Sequence, residues 1–416
     1  MQLIPPRAAG ATRTKEASAS RRVRLTLAVL AFGGLYSAPS LTDVLPEDRA
    51  DVEWSRYEGG GQLIEGKSWL IRKKVGDHVS VSYNHLIDVV SGASVDVKLY
   101  ASPYIEQRTQ DSVSVEYLHD KSTYNVSFTH SYEPDYRSNT AVFSVSQDMF
   151  GDLTTVSLSY RRTWNNVYEM ECAMRSAVGD VCEDKIHDPS FGEKDMDERS
   201  YAVGLTQILT RNSILALNFE VITDQGWLSD PYRQLLYADS TSPKGFSEGP
   251  EIDPSTRTSN AIGGDYKYYL PYRAALDLQY RFFTDTWGIH ANTAQLGYTQ
   301  PWRNFVFDGS FRYYMQNHAN FYSNLFPYAN AQNFESRNRE LSSYKSYSAS
   351  VGASYQFTIP RVSWIQKSTV NLRYDYFIVD YEDFTLVTPT TTINPNLAPL
   401  YSLRASIYQF FVSLYF

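Results

Sequence analysis

The feature that most constrains this chain is a two-residue alternation of apolar and polar side chains, repeated in run after run. Within residues 122–132, Tyr124, Val126, Phe128 and Tyr132 share one face, and Thr123, Asn125, Ser127, Thr129 and Ser131 share the other. Within 347–357 the apolar set is Tyr347, Ala349, Val351, Ala353, Tyr355 and Phe357, opposite Ser348, Ser350, Gly352, Ser354 and Gln356. The same pattern marks 154–161, 215–222, 274–283, 305–314 and 369–378. A period of two belongs to a β-strand whose two faces meet different surroundings.

A soluble chain of 416 residues would normally divide into two or three domains. A single barrel escapes that limit, because each added hairpin widens the ring without thickening a core. Tyrosine outnumbers tryptophan 33 to 7, which suits a surface part greasy and part wet. Mean hydropathy is below zero, and beyond residue 40 no run of about 18 uncharged apolar residues offers a spanning helix. Strands of about ten residues, with aromatics near the ends of the apolar face, predict an all-β transmembrane antiparallel up-and-down β-barrel. The apolar face then meets lipid and the polar face the lumen. Backbone groups in hydrocarbon must all be paired, so the sheet has to close.

The first 40 residues read as an export signal: Arg21, Arg22 and Arg24, then an apolar core over 25–36, then Ala38-Pro39-Ser40 before cleavage after Ser40. Residues 41–416 form one barrel domain. Cleavage leaves 32 Lys+Arg against 45 Asp+Glu, a net of −13. That balance argues against nucleic-acid binding and for acidic external loops.

Short turns are expected at Gly76-Asp77, Asp120-Lys121, Gly151-Asp152, Arg211-Asn212, Pro271-Tyr272, Trp302-Arg303 and 360–367. Long connections are expected over 92–108, 164–199, 223–257, 317–343 and 381–400. Short periplasmic turns and long external loops are the asymmetry of such barrels. The hairpins count to about 16 strands; 14 is the alternative, because 50–74, around Gly59-Gly60-Gly61, is ambiguous. The last strand alternates Tyr408, Phe410, Val412, Leu414 and terminal Phe416, a pattern like that read by the bacterial barrel-assembly machinery.

Alternation points Glu116, Arg161, Glu220, Asp265, Lys267, Asp277, Arg281, Asp308, Arg312, Arg373 and Asp375 inward. An Arg or Lys turned to lipid at mid-depth would cost about 2–4 kcal/mol. Both signs recur near each other on one face, as in Asp277 with Arg281 and Asp308 with Arg312. Two readings stand: a network of ion pairs that stiffens the barrel, and a polar pore whose charges select solutes. The 317–343 loop holds Phe321, Tyr322, Leu325, Phe326, Tyr328 and Phe334, very aromatic for an exposed segment. It predicts a lid or constriction at the barrel mouth, or packing between loops, with Trp227, Pro231, Tyr232 and Pro243 beside it.

Cys172 and Cys182 fit a local disulfide in an oxidising compartment, with two free thiols as the alternative. The acids of 164–199 offer oxygen ligands to a hard cation, but without EF-hand spacing, and read as a solvated loop. No metal or cofactor is expected. None of the seven histidines forms an HExxH or HxxxH pair; His130 lies on the apolar side of its strand and reads as interfacial. No GxSxG elbow, P-loop or dinucleotide glycine pattern stands where it is needed, so the chain is read as non-enzymatic.

Several strings resemble the outer-membrane family called domain of unknown function 3570. They are Ser91-Gly92-Ala93-Ser94-Val95-Asp96, Ala101-Ser102-Pro103-Tyr104, Ser146-Gln147-Asp148-Met149-Phe150-Gly151-Asp152 and Leu205-Thr206-Gln207-Ile208-Leu209-Thr210. Asp230-Pro231-Tyr232-Arg233, Tyr269-Leu270-Pro271-Tyr272-Arg273 and Thr284-Asp285-Thr286-Trp287-Gly288-Ile289 complete the set. The resemblance spans about 48–416 and implies an outer-membrane barrel, with no established activity or site. Its common neighbours, small lipoproteins and a flavin-attaching enzyme, imply a lipoprotein or redox partner, although this chain shows no flavin or haem motif. The leading expectation is a channel or transport pore for small solutes, in contact with outer-membrane lipid and lipopolysaccharide. The alternatives are a filled structural barrel holding a lipoprotein, and an outer-membrane hydrolase.

Overall fold

A computed structural model describes residues 45–416 apart from 93–103, 176–181, 361, 388–390 and 392–393. The export-signal reading therefore concerns residues outside those described. Twenty strands follow in chain order: β1 Arg49–Gly59, β2 Gln62–Val75, β3 Val79–Gly92, β4 Tyr104–His119, β5 Ser122–Glu133, β6 Tyr136–Met149 and β7 Thr154–Tyr168. Next come β8 Met170–Arg175, β9 Cys182–His187, β10 Glu193–Thr210, β11 Ser213–Gly226, β12 Gln234–Ala238, β13 Phe246–Pro250 and β14 Thr256–Tyr269. The last are β15 Ala275–Asp285, β16 His290–Trp302, β17 Phe305–Gln316, β18 Tyr344–Phe357, β19 Lys367–Thr385 and β20 Leu400–Tyr415.

Sixteen of them close into one antiparallel barrel, and the pairs β8–β9 and β12–β13 form two small hairpins outside it. The seam is β1 against β20, in unbroken register from Arg49 opposite Tyr415 to Gly59 opposite Ala405. The ambiguous first segment is thus a hairpin, turned by Gly60 and Gly61, whose positive φ of 59° and 84° needs glycine.

Even strand number places both ends of the barrel at one rim, with the connections 76–78, 120–121, 150–153, 211–212, 270–274, 303–304 and 358–366. The long connections gather at the other rim. Two of them are shortened by longer strands: β7 runs on to Tyr168 and β10 starts at Glu193 around one, and β19 continues to Thr385 before another. The start of β10 is charged at every outward position, whereas the ends of β7 and β19 keep buried apolar residues, Val167, Tyr168, Tyr381 and Phe384.

That belt is the outward face. Val126, Leu158, Val203, Ile262, Leu278, Leu296, Phe311, Val351 and Leu372 all stand exposed around the barrel. A ring this continuous is the apolar band of a spanning barrel rather than a water-facing surface. Tyrosine pairs line it, including Tyr160–Tyr201 at 5.2 Å, Tyr313–Tyr347 at 5.3 Å and Tyr374–Tyr408 at 5.1 Å between ring centroids. Outward positions then turn polar at Arg56, Lys67, Asp111, His130, Arg162 and Asn260. The change comes about eight residues above the turn rim, or ~20 Å for strands rising ~3.3 Å per residue at ~40° tilt.

Candidate functional site

The cross-strand register sets Glu116, Arg161, Glu220, Asp265, Lys267, Asp277, Arg281, Asp308, Arg312, Arg373 and Asp375 on the face opposite the exposed apolar belt. Their ion pairs run between strands or between residues two apart on one strand. Arg161 meets Glu198 at 3.0 Å and Glu220 at 3.8 Å, and Arg281 reaches Glu220 at 3.9 Å. Lys267 lies 3.6 Å from both Asp265 and Asp277, and Arg373 lies 3.8 Å from Asp308 and 3.1 Å from Asp375. Asp277 thus meets Lys267 on the neighbouring strand, and Asp308 meets Arg373 on the strand beyond its neighbour. Four residues along a strand are ~13 Å, whereas the next strand is ~4.8 Å away. Gly352 makes room for one such contact: a Cβ there would come 2.3 Å from Asp308 Oδ1.

The inner wall has three sectors. Most of these charges and their pairs lie on β7–β19, while Glu116 stands on β4 and Arg108 of β4 pairs with Asp88 of β3. Strands β4–β7 present Ser112, Ser114, Asn125, Ser127, Thr129, Thr140, Ser144, Ser157 and Ser159, none of them fully buried. These hydroxyls bond each other, Ser112 with Thr129 at 2.9 Å and Thr140 with Thr163 at 3.1 Å, and Asn125 donates to Ser114 at 2.8 Å. Strands β19, β20, β1 and β2 instead turn Tyr57, Ile64, Phe377, Val379, Leu403, Ala405 and Ile407 inward, all buried.

Three loops pack on one another at the loop rim. The 227–255, 317–343 and 386–399 connections share a core of Leu236, Phe246, Val387 and Ala398, with Leu325 against it. Phe326, fully buried, is tied by its own backbone: its N–H donates to Leu236 O and its carbonyl accepts from Ala238 N, both at 2.8 Å. Ile252 and Glu335 exchange a pair of 2.9 Å backbone bonds, and Met170 N donates to Tyr232 Oη at 2.9 Å. Arg337 donates to Asn324 O at 3.1 Å and Thr385 O at 2.8 Å, while its own N–H donates to Glu251 Oε1 at 2.8 Å. Arg233 bonds Asn338 and reaches Glu340 at 3.1 Å and Asp230 at 3.4 Å.

Of the five aromatic residues read as a lid, Phe321 and Phe326 are buried in it. Tyr322 donates to Asp383 O at 3.1 Å, and burial pushes its phenol well up. Tyr328 and Phe334 differ: they are exposed, at the tip of the loop around Asn330, whose φ is 55°. Burial raises both Glu251 and Asp253 above the usual carboxylate range; Asp253 adds to the effect on Glu251, and Arg233 opposes it in both. Hydroxyl bonds from Ser247 and Thr241 hold Asp239 at about 2 and fix the turn between β12 and β13.

A catalytic reading finds little to work with. His318 Nδ1 lies 3.1 Å from Ser343 Oγ and 2.9 Å from Asp383 Oδ2. Both contacts fall on one ring nitrogen, whereas a proton relay uses the two nitrogens for base and orienting acid. His85 Nδ1 meets Asp111 Oδ1 at 2.8 Å, alongside the Tyr83 phenol at 2.5 Å, and His130 meets Asn139 at 2.9 Å. These two groups sit on the outward face, at and below the edge of the apolar belt. Among the described residues no three His, Cys, Asp or Glu side chains are placed to hold a metal. The backbone of β8 and β9 sets Cys172 opposite Lys185 and Cys182 opposite Arg175; both cysteine side chains lie outside the described residues. In the last strand Tyr408 and Phe410 stand exposed on the outward face, on the same side as Val412 and Leu414. Phe416 N donates to Asp48 O at 3.1 Å.

The hydroxyl sector, Arg233, Glu251, Asp253 and Arg337 escaped the sequence reading. The polar set of 122–132 was visible, but which loop arginine meets which loop acid depends on contacts about a hundred residues apart, such as Arg233 with Asn338.

No protein of curated function matches the chain in sequence. Solved structures similar to it include a bacterial polysaccharide outer membrane secretin, with 7% identity, a TM-score of 0.45, and 89% of this chain and 100% of that one covered. The siderophore receptor PirA from Acinetobacter baumannii shares 12% identity at a TM-score of 0.39, covering 89% of this chain and 60% of the receptor. The NanC porin shares 12% at 0.27, over 56% of this chain and 87% of the porin. A model of the family described as protein of unknown function (DUF3570) matches residues 95–389, which take in twelve complete barrel strands and the 227–255 and 317–343 loops, and the chain belongs to that family.

Proposed function

We propose that this protein is an outer-membrane channel for small, polar, uncharged solutes, with a lid over its external mouth. The observation that carries the reading is the contrast inside the barrel. The loop-end part of the β19–β2 wall is buried, while the hydroxyl residues of β4–β7 keep accessible surface. Serine and threonine hydroxyls replace water around a hydroxylated solute without imposing a charge. Ion pairs across β7–β19 offset much of the charge on the rest of the wall, so neither ion sign gains a strong advantage. The outward belt meets lipid, the Arg and Lys positions at its upper edge meet lipopolysaccharide phosphates, and the Phe416-terminated strand engages the assembly machinery.

The test is conductance of the purified protein in planar bilayers, together with swelling of liposomes in neutral sugars. Weak ion selectivity and uptake of small neutral sugars are expected. A chain that neither conducts nor admits any sugar, with the lid intact or removed, rejects the channel. The interlocked loops and cross-strand ion pairs favour a second reading, a filled barrel that holds a lipoprotein. Under it, removing the lid leaves conductance at zero.

A further inference from the structure

We infer that the lid carries a proton-binding site at Glu251 and Asp253, and that loss of its proton loosens the external mouth. The inference deepens the lidded-channel reading and rests on it for its functional meaning, but not for its test.

Glu251 and Asp253 flank Ile252, which is bridged in antiparallel fashion to Glu335 of the 317–343 loop. Side chains two apart on an extended segment point the same way. Both therefore enter the seam between the two largest lid loops. Glu251 is 5% exposed, and its Oε1 accepts from Arg337 N. Its Oε2 and Asp253 Oδ1 are buried with no hydrogen-bond partner. A buried carboxylate oxygen without a donor is costly when charged, and a proton removes that cost.

The groups facing the pair come from every element packed on it. From its own loop come Asp230 and Arg233. The 317–343 loop supplies Ser336, the phenol of Tyr322 and Arg337, whose guanidinium is engaged with Asn324 O and Thr385 O. Strand β14 supplies Arg257, itself paired with Asp285 at 2.5 Å and stacked 4.6 Å over Trp287. Arg233 is likewise shared with Asp230 and Glu340. Both arginines nearest the pair thus already serve other carboxylates, and two acids side by side are held more easily with one proton between them.

The sign follows from burial. Both carboxyls bind protons more tightly in the closed lid than when the loops part and water reaches them. Closure is therefore favoured at low pH and weakened as the pH rises through the closed-lid values. The ligand is the proton itself, so no further co-reactant is needed.

Hydrogen exchange of the full chain in lipid, at about pH 5 and about pH 9 and corrected for intrinsic rates, tests this. Each unit of pKa displacement corresponds to roughly tenfold in the opening equilibrium. Protection over 230–255 and 322–342 is expected to fall at least tenfold at the higher pH, with the barrel strands unchanged. Glu251→Gln with Asp253→Asn is expected to remove that pH response. Equal wild-type protection at both values overturns the proposal, as does an undiminished response in the double variant. If the double variant does not assemble, the wild-type series decides alone. A mobile lid in a barrel that never conducts would reject the channel and keep the proton site.

Discussion

Arg337 places its guanidinium 4.5 Å from the centroid of the Phe384 ring, with two of its nitrogens bonded to the backbone carbonyls of Asn324 in its own loop and Thr385 at the end of β19. A flat cation that stacks and forks at once joins 317–343 to the end of β19 and, through its main-chain N–H, to the 227–255 loop. Arginine alone offers that geometry; lysine has neither the plane nor the second donor direction. Each hydrogen bond from a charged donor contributes about 1.5–3 kcal/mol. Arg337→Ala is therefore expected to lower local lid stability by about 3 kcal/mol and raise conductance. Arg337→Lys is expected to recover little of either. Hydrogen exchange and single-channel recording measure the two effects; full recovery by lysine would show that charge alone holds the lid.

Ser127 and Ser144 lie on the hydroxyl wall, where a larger side chain has only the lumen to enter. Ser127→Trp is expected to cut conductance several-fold without loss of folded protein, since it removes volume and no contact of consequence. Ser127→Asp with Ser144→Asp is expected to shift selectivity towards cations, because two unpaired carboxylates would then be added to the hydroxyl face. Reversal potentials in a salt gradient read that shift. The matching change on the charged wall behaves differently: Arg161→Ala leaves Glu198 and Glu220 without their shared partner and destabilises the barrel.

Val126 stands 55% exposed within the apolar belt. Replacing it with arginine is expected to cost about 2–4 kcal/mol when it lies at mid-depth. The denaturant midpoint in lipid would fall accordingly. In detergent, where the head group escapes more easily, the loss is expected to shrink. A wild-type-like Val126→Arg variant in lipid would place that face against protein or water instead.

The barrel was legible because one rule governs each strand: a lipid-facing residue, then a lumen-facing one. From Leu278 and Tyr280 outward, Asp277 and Arg281 inward follow without any coordinates. Turn chemistry located the short connections for the same local reason. The lid was legible only as an excess of aromatics. Phe326 and Tyr328 look alike in sequence, yet one is wholly buried and the other 60% exposed, because the difference is made by Leu236 and Ala238, some ninety residues earlier. Glu251 reads as one more solvated loop acid for the same reason. The extension of β10 was missed because its outward positions, Glu193, Asp195, Asp197 and Arg199, are all charged and carry no apolar alternation; Asp197 pairs there with Arg162 at 2.6 Å.

The closing strand makes a further prediction. Phe416 is held at three points: its N–H on Asp48 O, its ring 6.1 Å from Trp364, and the Lys73 ammonium 4.9 Å from its centroid. Asp48 is in turn bound to Lys73 at 2.6 Å and accepts from Lys74 N at 2.7 Å. Burial works to raise the Asp48 carboxyl, but the bonds from Lys73 and Lys74 outweigh it and hold it below its ordinary value. A depressed carboxyl stabilises the fold above its unfolded pKa and loses that contribution as the pH falls through the folded value. Asp48→Asn should therefore weaken the latch at neutral pH and leave it unchanged in acid. Phe416→Ala removes the ring from all its partners and is expected to slow assembly more than it lowers final stability, because the end of β20 must be held while β1 closes the seam. Refolding kinetics into lipid vesicles separate the two. If Phe416→Ala folds at the wild-type rate and Asp48→Asn behaves alike at both pH values, the latch plays no part in closure.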